Sequence, residues 1–223
     1  MMIFPWTISN FSTFIPLDSL PSLENHFRQL IVTVDENGNP PTVGKGERNP
    51  CDESNLNLTP IVINQNNSEV GSNWGKTSAE RPILWVYIPY TREQLSRAKL
   101  SVRTQNEEEI IYEERLSLNT LGKTPGLVPL SLEESENTLE MGQWYRWYLF
   151  LDVYCTEEAD RLQQDSISAW VQRSENVSGD RLYDHLAEIA AIEDPQTRKN
   201  AWIEILRELG YDAIADGIST PEN

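Results

Sequence analysis

The side chains best suited to chemistry are a group of aromatic and basic residues near position 150. Trp144, Arg146, Tyr148 and Phe150 alternate along one segment, and Trp170 lies in the next apolar segment. Alternate residues of a strand point to the same face, so this group can share one face of a sheet. Such a face could bind sugar rings or partner side chains. Alternatively, helices from the C-terminal part cover it, and that is the interpretation we favour.

Carboxylates form the second group. Glu107–Glu109 and Glu113–Glu114 could supply the acid and the nucleophile of a glycoside hydrolase. Acidic residues at turns and strand edges also prevent sheets from associating with one another, and we favour this second explanation.

Other catalytic and metal-binding patterns are missing from the sequence. His26 and His185 each lack a second histidine at ligand spacing, and no GxSxG, GxxxxGK[ST] or DxDxDG pattern occurs. We therefore expect no metal, no cofactor and no catalytic residue, with Ca²⁺-assisted adhesion as a lesser alternative.

The charge balance excludes several classes of partner. The 223 residues include 35 acidic and 18 basic side chains, which gives a net charge of −17. Such a chain is repelled by nucleic acid and by anionic lipid surfaces. Nucleic-acid binding and a transmembrane segment are not expected, because the chain contains neither a basic run nor a long apolar stretch. The apolar N-terminus lacks the basic start of a signal peptide and contains Pro5 and Pro16.

The elements that must position these residues are mostly strands. Apolar and β-branched runs separated by polar turns, without helical periodicity, predict an antiparallel β-sandwich or barrel. The polar tracts 35–55 and 64–80 read as long loops. The predicted strands cover residues 26–34, 56–63, 81–90, 98–104, 109–118, 126–132, 143–154 and 167–173.

Two further patterns refine this fold. Leu139, Gly142 and Tyr145 have the spacing of the tyrosine corner found in immunoglobulin-like sandwiches. After residue 174 the apolar period becomes helical, and Asp194 with Pro195 fits a helix start. We predict an N-terminal extension (1–25), an immunoglobulin-like β-sandwich (26–174) and a small helical subdomain (175–223) packed on the sandwich.

The two cysteines, Cys51 and Cys155, do not form a CxxC pattern. They are either two buried thiols or the ends of one long-range disulfide, depending on the compartment.

The order of motifs resembles a known family. The segments are GERNPC (46–51), LTPIVI (58–63), RPILWVYIPY (81–90), GLVPLSL (126–132), LEMGQWYRWYLFLDVYC (139–155), AWVQR (169–173) and AWIEILRELGYDAIA (201–215). They are similar to the cyanobacterial domain-of-unknown-function family 928. This resemblance favours pairing of Cys51 with Cys155 and implies export to the periplasm or cell envelope. It brings no activity and no catalytic residues with it.

These observations predict a non-enzymatic module that binds a protein or a glycan. The candidate binding residues are Trp144, Arg146, Tyr148 and Trp170, with the loops 35–55 and 64–80. The alternative is a carbohydrate-active hydrolase that uses paired carboxylates.

Overall fold

A computed structural model describes residues 51, 56–64, 73–119, 121–155, 161–175 and 181–219. The predicted extension 1–25, the predicted strand 26–34 and all of the predicted loop 35–55 except Cys51 lie outside the described residues.

Nine strands precede three helices in the described part of the chain. They are β1 (Thr59–Pro60), β2 (Ile63–Asn64), β3 (Asn73–Thr77), β4 (Ile83–Ile88), β5 (Leu95–Thr104), β6 (Ile110–Leu116), β7 (Gly126–Ser131), β8 (Trp144–Tyr154), β9 (Leu162–Arg173), α1 (Leu182–Ala190), α2 (Pro195–Glu208) and α3 (Asp212–Ser219). The predicted mainly β fold with C-terminal helices is confirmed. The segment 56–63 forms two very short strands rather than one, and β3 lies inside the tract 64–80 that we expected to be a loop.

The strands form two sheets. One has the order β1-β4-β7, and the other has the order β2-β3-β9-β8-β5-β6. The pairings are antiparallel with one exception, because β3 runs parallel to β9 with Trp74 opposite Trp170. That parallel pair departs from the purely antiparallel sandwich that we predicted.

A single cluster of buried residues forms the core. On β8, Trp147, Leu149 and Leu151 are completely buried, as the apolar alternation of that strand predicts. Strand β4 is buried on both sides: Leu84, Val86 and Ile88 are inaccessible on one side, and Trp85 and Tyr87 are less than a tenth exposed on the other. Burial on both sides means that a further layer must cover the three-stranded sheet.

Helix α2 supplies part of that further layer. Its Trp202 ring lies 4.7 Å from the ring of Trp85 on β4. Tyr211, between α2 and α3, shares its hydroxyl proton between the carbonyl oxygens of Pro60 and Val62, at 2.9 and 3.0 Å. The start of α2 is as predicted, because the Asp194 carboxylate accepts a hydrogen bond from the backbone N–H of Thr197 at 2.7 Å.

The helices therefore do not cover the face that we expected. Helix α1 contacts β3 and β4, one strand of each sheet, and its Tyr183 hydroxyl accepts a hydrogen bond from the indole N–H of Trp147 at 3.1 Å. Trp147 points to the core, on the opposite side of β8 from Trp144. Our prediction that the C-terminal helices cover Trp144 and Trp170 is wrong. The helices pack instead against β4, a strand that would otherwise expose only apolar side chains to water.

A carboxylate fastens α1 to the end of β3. Asp184 accepts hydrogen bonds from the Thr77 hydroxyl at 2.6 Å, the Ser78 hydroxyl at 2.6 Å and the Ser78 backbone N–H at 2.9 Å. Gly75 lets the helix approach closely, because a Cβ atom there would lie only 2.7 Å from the Tyr183 ring.

The turn before β8 has the hydrogen bond of a tyrosine corner. The backbone N–H of Glu140 donates to the Tyr145 hydroxyl oxygen at 3.0 Å, and Leu139 is buried beside it. Gly142 has a φ of 77°, which glycine adopts without strain. The immunoglobulin-like assignment stays a prediction.

The sulfur atoms of Cys51 and Cys155 are bonded to each other, with their Cα atoms 4.9 Å apart. The bond closes a loop that contains β1 to β8.

Candidate functional site

The candidate site is the side of the six-stranded sheet that carries Trp144, Arg146, Tyr148 and Phe150, which we call the outer face. Strand register fixes the neighbours of these residues. Across β5, β8 and β9 the register aligns three rows, each with its β8 residue in the middle: Arg103, Arg146 and Trp170; Ser101, Tyr148 and Ser168; and Lys99, Phe150 and Ser166. The outer face therefore interleaves cations with aromatic rings.

The tryptophans of the outer face are not freely accessible. Trp170 is 1% exposed, and Trp74 and Trp144 are 7% and 8% exposed. The rings of Trp74 and Trp144 pack edge to face with their centroids 6.2 Å apart. Tyr148 and Phe150 are partly exposed. A ligand would thus meet the tyrosine and phenylalanine before it met the indoles.

The accessible rings are held in what we call the ring stack, formed by Lys99, Phe150, Tyr148 and Arg146. Phe150 and Tyr148 are nearly parallel, with centroids 5.9 Å apart. The Lys99 ammonium lies 5.4 Å from the Phe150 centroid, and the Arg146 guanidinium lies 4.9 Å from the Tyr148 centroid. Cations on both sides hold the rings in place through attraction to their π-systems. The flat faces of these two rings are therefore already in contact with each other or with a cation.

Arg146 is the best anchored cation of the ring stack. It forms an ion pair with Glu107 at 2.6 Å and donates a hydrogen bond to the Ser168 hydroxyl at 3.2 Å. A hydrogen bond from the Tyr148 hydroxyl and the charge of Arg146 lower the pKa of Glu107. Burial and the Glu107 carboxylate raise the pKa of Tyr148 to about 12. At neutral pH the carboxylate is therefore ionised and the phenol neutral.

Several buried polar atoms of the outer face lack a partner among the described residues. They are the Ser101 hydroxyl, Nε of Arg103, Nε of Arg146 and the indole Nε1 of Trp170. Buried polar groups normally have hydrogen-bond partners, and ordered water can supply them at such positions.

A groove of about 480 Å³ lies at the end of the outer face where Phe150 stands. We call it the basic groove. It is lined by Arg97, Lys99, Arg115, Phe150, Asp152 and Gln164, with Ser96, Ala98, Leu116 and Leu118. Three cations and one carboxylate make its walls locally positive, although the whole chain carries −17.

Three comparisons with known proteins test whether the chain belongs to a known family. The family model described as Domain of Unknown Function (DUF928) matches residues 43–179, more than half of the chain. The chain belongs to the DUF928 family. The match contains both sheets and the outer face and ends before α1. Comparison with curated proteins and with solved structures gave no match.

The family description names no activity, so any inference about function must rest on the geometry of the described residues. Among the described residues, no three His, Cys, Asp or Glu side chains lie together as a metal site. None of the described helices has the length and apolar content to cross a membrane.

The carboxylates of the hydrolase alternative lie around the β5–β6 hairpin and are engaged locally. Glu107 pairs with Arg146, Glu113 pairs with Lys99 at 3.2 Å, and Glu114 accepts a hydrogen bond from the Tyr112 hydroxyl. Asp152 is the carboxylate that lines the basic groove. The hydrolase alternative stays a prediction.

The four predicted binding residues, Trp144, Arg146, Tyr148 and Trp170, do lie on one face. The cations of the basic groove were not predicted from the sequence. A signal for part of it is present in β5, where Arg97, Lys99 and Arg103 occupy alternate positions with Ser101 between them. Arg115 joins them only through the pairing of β6 with β5.

Proposed function

We propose that this DUF928 protein is a non-enzymatic interaction module that binds a protein or glycan partner through the outer face. The observation that carries the proposal is that α2 packs on the three-stranded sheet and α1 packs on the core side of β3 and β4, which leaves partly exposed aromatic rings, cations and a groove together on the outer face. Aromatic and arginine side chains are the residues that most often dominate binding energies at interfaces.

The ring stack supports binding because it is rigid before any partner arrives. Tyr148 and Phe150 are held by each other and by Lys99 and Arg146, so little side-chain entropy is lost when a partner packs on them.

The test is capture of partners by the full chain carrying Phe150→Ala. Leu209→Ala, which truncates a partly buried side chain on the helical side, is the matched control. Immobilised proteins are exposed to protein and cell-envelope polysaccharide fractions of the source organism, and bound material is quantified by mass spectrometry and sugar analysis. We expect the wild type and Leu209→Ala to retain the same partner and Phe150→Ala to lose most of it. Equal capture by all three proteins contradicts the proposal.

We further infer that the protein works in an oxidising compartment such as the periplasm or cell envelope, because disulfides persist there. The Cys51–Cys155 bond closes a long loop, and the chain-entropy account of such loops assigns it about 4–5 kcal/mol of stability. Alkylation of protein taken directly from its source, without reductant, should label no thiol. Labelling of both cysteines would overturn this inference.

A further inference from the structure

The basic groove has two chemically different ends. Arg115 on β6 and Lys99 on β5 are directly opposite each other at one end. Asp152 on β8 and Gln164 on β9 are directly opposite each other at the other end. The first end attracts an acid group, and the second offers an acceptor and an amide that suit hydroxyl groups.

The wall of the groove between these ends has apolar surface. Leu116 and Leu118 line it, and Phe150 contributes its ring. Because Lys99 and Tyr148 lie against the faces of that ring, it presents its edge. The edge of an aromatic ring is the positive part of its quadrupole, so it favours electron-rich oxygen atoms.

The cations of the groove differ in how they are engaged. Lys99 pairs with Glu113 at 3.2 Å, and Arg97 lies 3.8 Å from Asp152 with 73% of its side chain exposed. Arg115 forms no ion pair within the described part of the chain, and its side chain is exposed. Arg115 is therefore the cation best placed to receive an acid group from outside.

We propose that the basic groove binds a sugar acid, with the carboxylate of the sugar at Arg115 and Lys99 and its hydroxyl groups at Asp152 and Gln164. The inference rests on the proposed function and names the ligand class of the same outer face. A sugar acid uses both ends of the groove, whereas a fatty acid lacks the hydroxyl donors that suit Asp152. The net charge of −17 repels long polyanions. The groove therefore fits a single acid unit, free or within an otherwise neutral glycan.

The test is titration of the full chain with D-glucuronate and with glucose, which lacks the acid group, followed by NMR or calorimetry. We expect glucuronate to bind at least about tenfold more tightly than glucose, because a charge-assisted hydrogen bond is made only by the acid. The affinity for glucuronate should fall with added salt, since the groove is open to solvent, and the affinity for glucose should not.

A charge-matched pair of variants locates the site. Arg115→Gln should weaken glucuronate binding about tenfold. Arg207→Gln removes a cation on the helical side, where Arg207 pairs with Asp216, and should leave the binding unchanged. Equal effects of the two variants would overturn the assignment to the groove.

Two other outcomes also test the assignment of a sugar acid to the basic groove. Tighter binding of a short poly-glutamate peptide than of glucuronate, lost in Arg115→Gln, would replace the sugar acid with an acidic protein segment. Absence of glucuronate binding overturns the inference alone if Phe150→Ala still abolishes partner capture. If Phe150→Ala also leaves capture intact, the proposed function fails as well.

Discussion

The outer sides of the two sheets both carry a pair of packed aromatic rings, but one pair is buried and the other is partly exposed. On the three-stranded sheet, Trp85 packs against Trp202 of α2, and both are nearly inaccessible. On the six-stranded sheet, Tyr148 and Phe150 also pack ring to ring, yet they remain partly exposed between Lys99 and Arg146. One aromatic pair closes a layer of the fold, and the other is kept at the surface.

The neighbouring side chains decide between these outcomes. The outward side of β4 has no charged residue, so leaving it in water would expose a continuous apolar surface. The outer face places cations at alternate positions of β5, and their charged ends tolerate water while their stems cover the rings. Aromatic content alone therefore did not indicate which side the helices would cover.

The largest expected effect tests whether the two aromatic pairs differ in stabilisation. Trp202→Ala should lower the free energy of unfolding by about 3–5 kcal/mol, because it opens a cavity between α2 and β4. Phe150→Ala should lower it by only about 1–2 kcal/mol, because the ring is partly exposed and loses mainly its stacking contacts. Urea denaturation of the three proteins gives both differences.

Equal losses of stability in Trp202→Ala and Phe150→Ala would remove the distinction between a structural pair and a surface pair. A larger loss in Phe150→Ala would reverse it.

A smaller difference in stability is expected between substitutions on the two sides of β3. Gly75 and Lys76 are adjacent on β3 and point to opposite sides. Gly75→Ala should cost about 1–3 kcal/mol, because the new methyl group would lie 2.7 Å from the Tyr183 ring. Lys76→Ala should cost less than about 1 kcal/mol, of the order of its cation–π contact with the Trp74 ring. Thermal unfolding of the pair is the measurement, and a destabilised Lys76→Ala with an unaffected Gly75→Ala would place α1 on the wrong side.

The smallest effect concerns the charge on the outer face. The pKa of Glu107 is held below its ordinary value of 4.5 by the Tyr148 hydroxyl and by Arg146. A carboxyl whose pKa is lowered on folding stabilises the protein above its unfolded-state pKa, and this contribution is lost as the pH falls through the folded-state value. The stability difference between wild type and Glu107→Gln should therefore be greatest near neutral pH and should shrink below pH 4.5.

Denaturation midpoints measured at several pH values test this expectation. Glu109→Gln serves as the control, because it removes one carboxylate from the same hairpin. A difference for Glu107→Gln that grows on acidification would contradict the ion pair with Arg146.

Local patterns were sufficient for much of the fold. The apolar residues on both sides of β4 are sufficient to explain its burial, and Asp194 with Pro195 predicted the start of α2. Strand β3 was missed because Asn73, Gly75 and Lys76 show no apolar alternation. Its pairing with β9, distant in sequence, determines its conformation. Gly210, where φ is 82°, fits the end of α2, but the segment after it was not predicted as a separate helix.

The candidate site, like the fold, was only partly predictable from local sequence patterns. The period of two along β8 was enough to place Trp144, Arg146 and Tyr148 on one face. Their burial and the basic groove depend on which strands lie side by side. Arg115 approaches Lys99 only after β6 pairs with β5, and no spacing within either segment encodes that pairing.

The parallel pairing of β3 with β9 has a consequence for synthesis on the ribosome. Strand β9 is the last of the described strands to emerge, and it pairs with β8 on one side and β3 on the other. Until Leu162–Arg173 has left the exit tunnel, both partners present unpaired backbone edges, and contacts between such distant segments form slowly. A chain interrupted before Leu162 would keep two open edges and associate with other chains. We therefore expect β9 to complete the sheet and to limit the aggregation of incomplete chains.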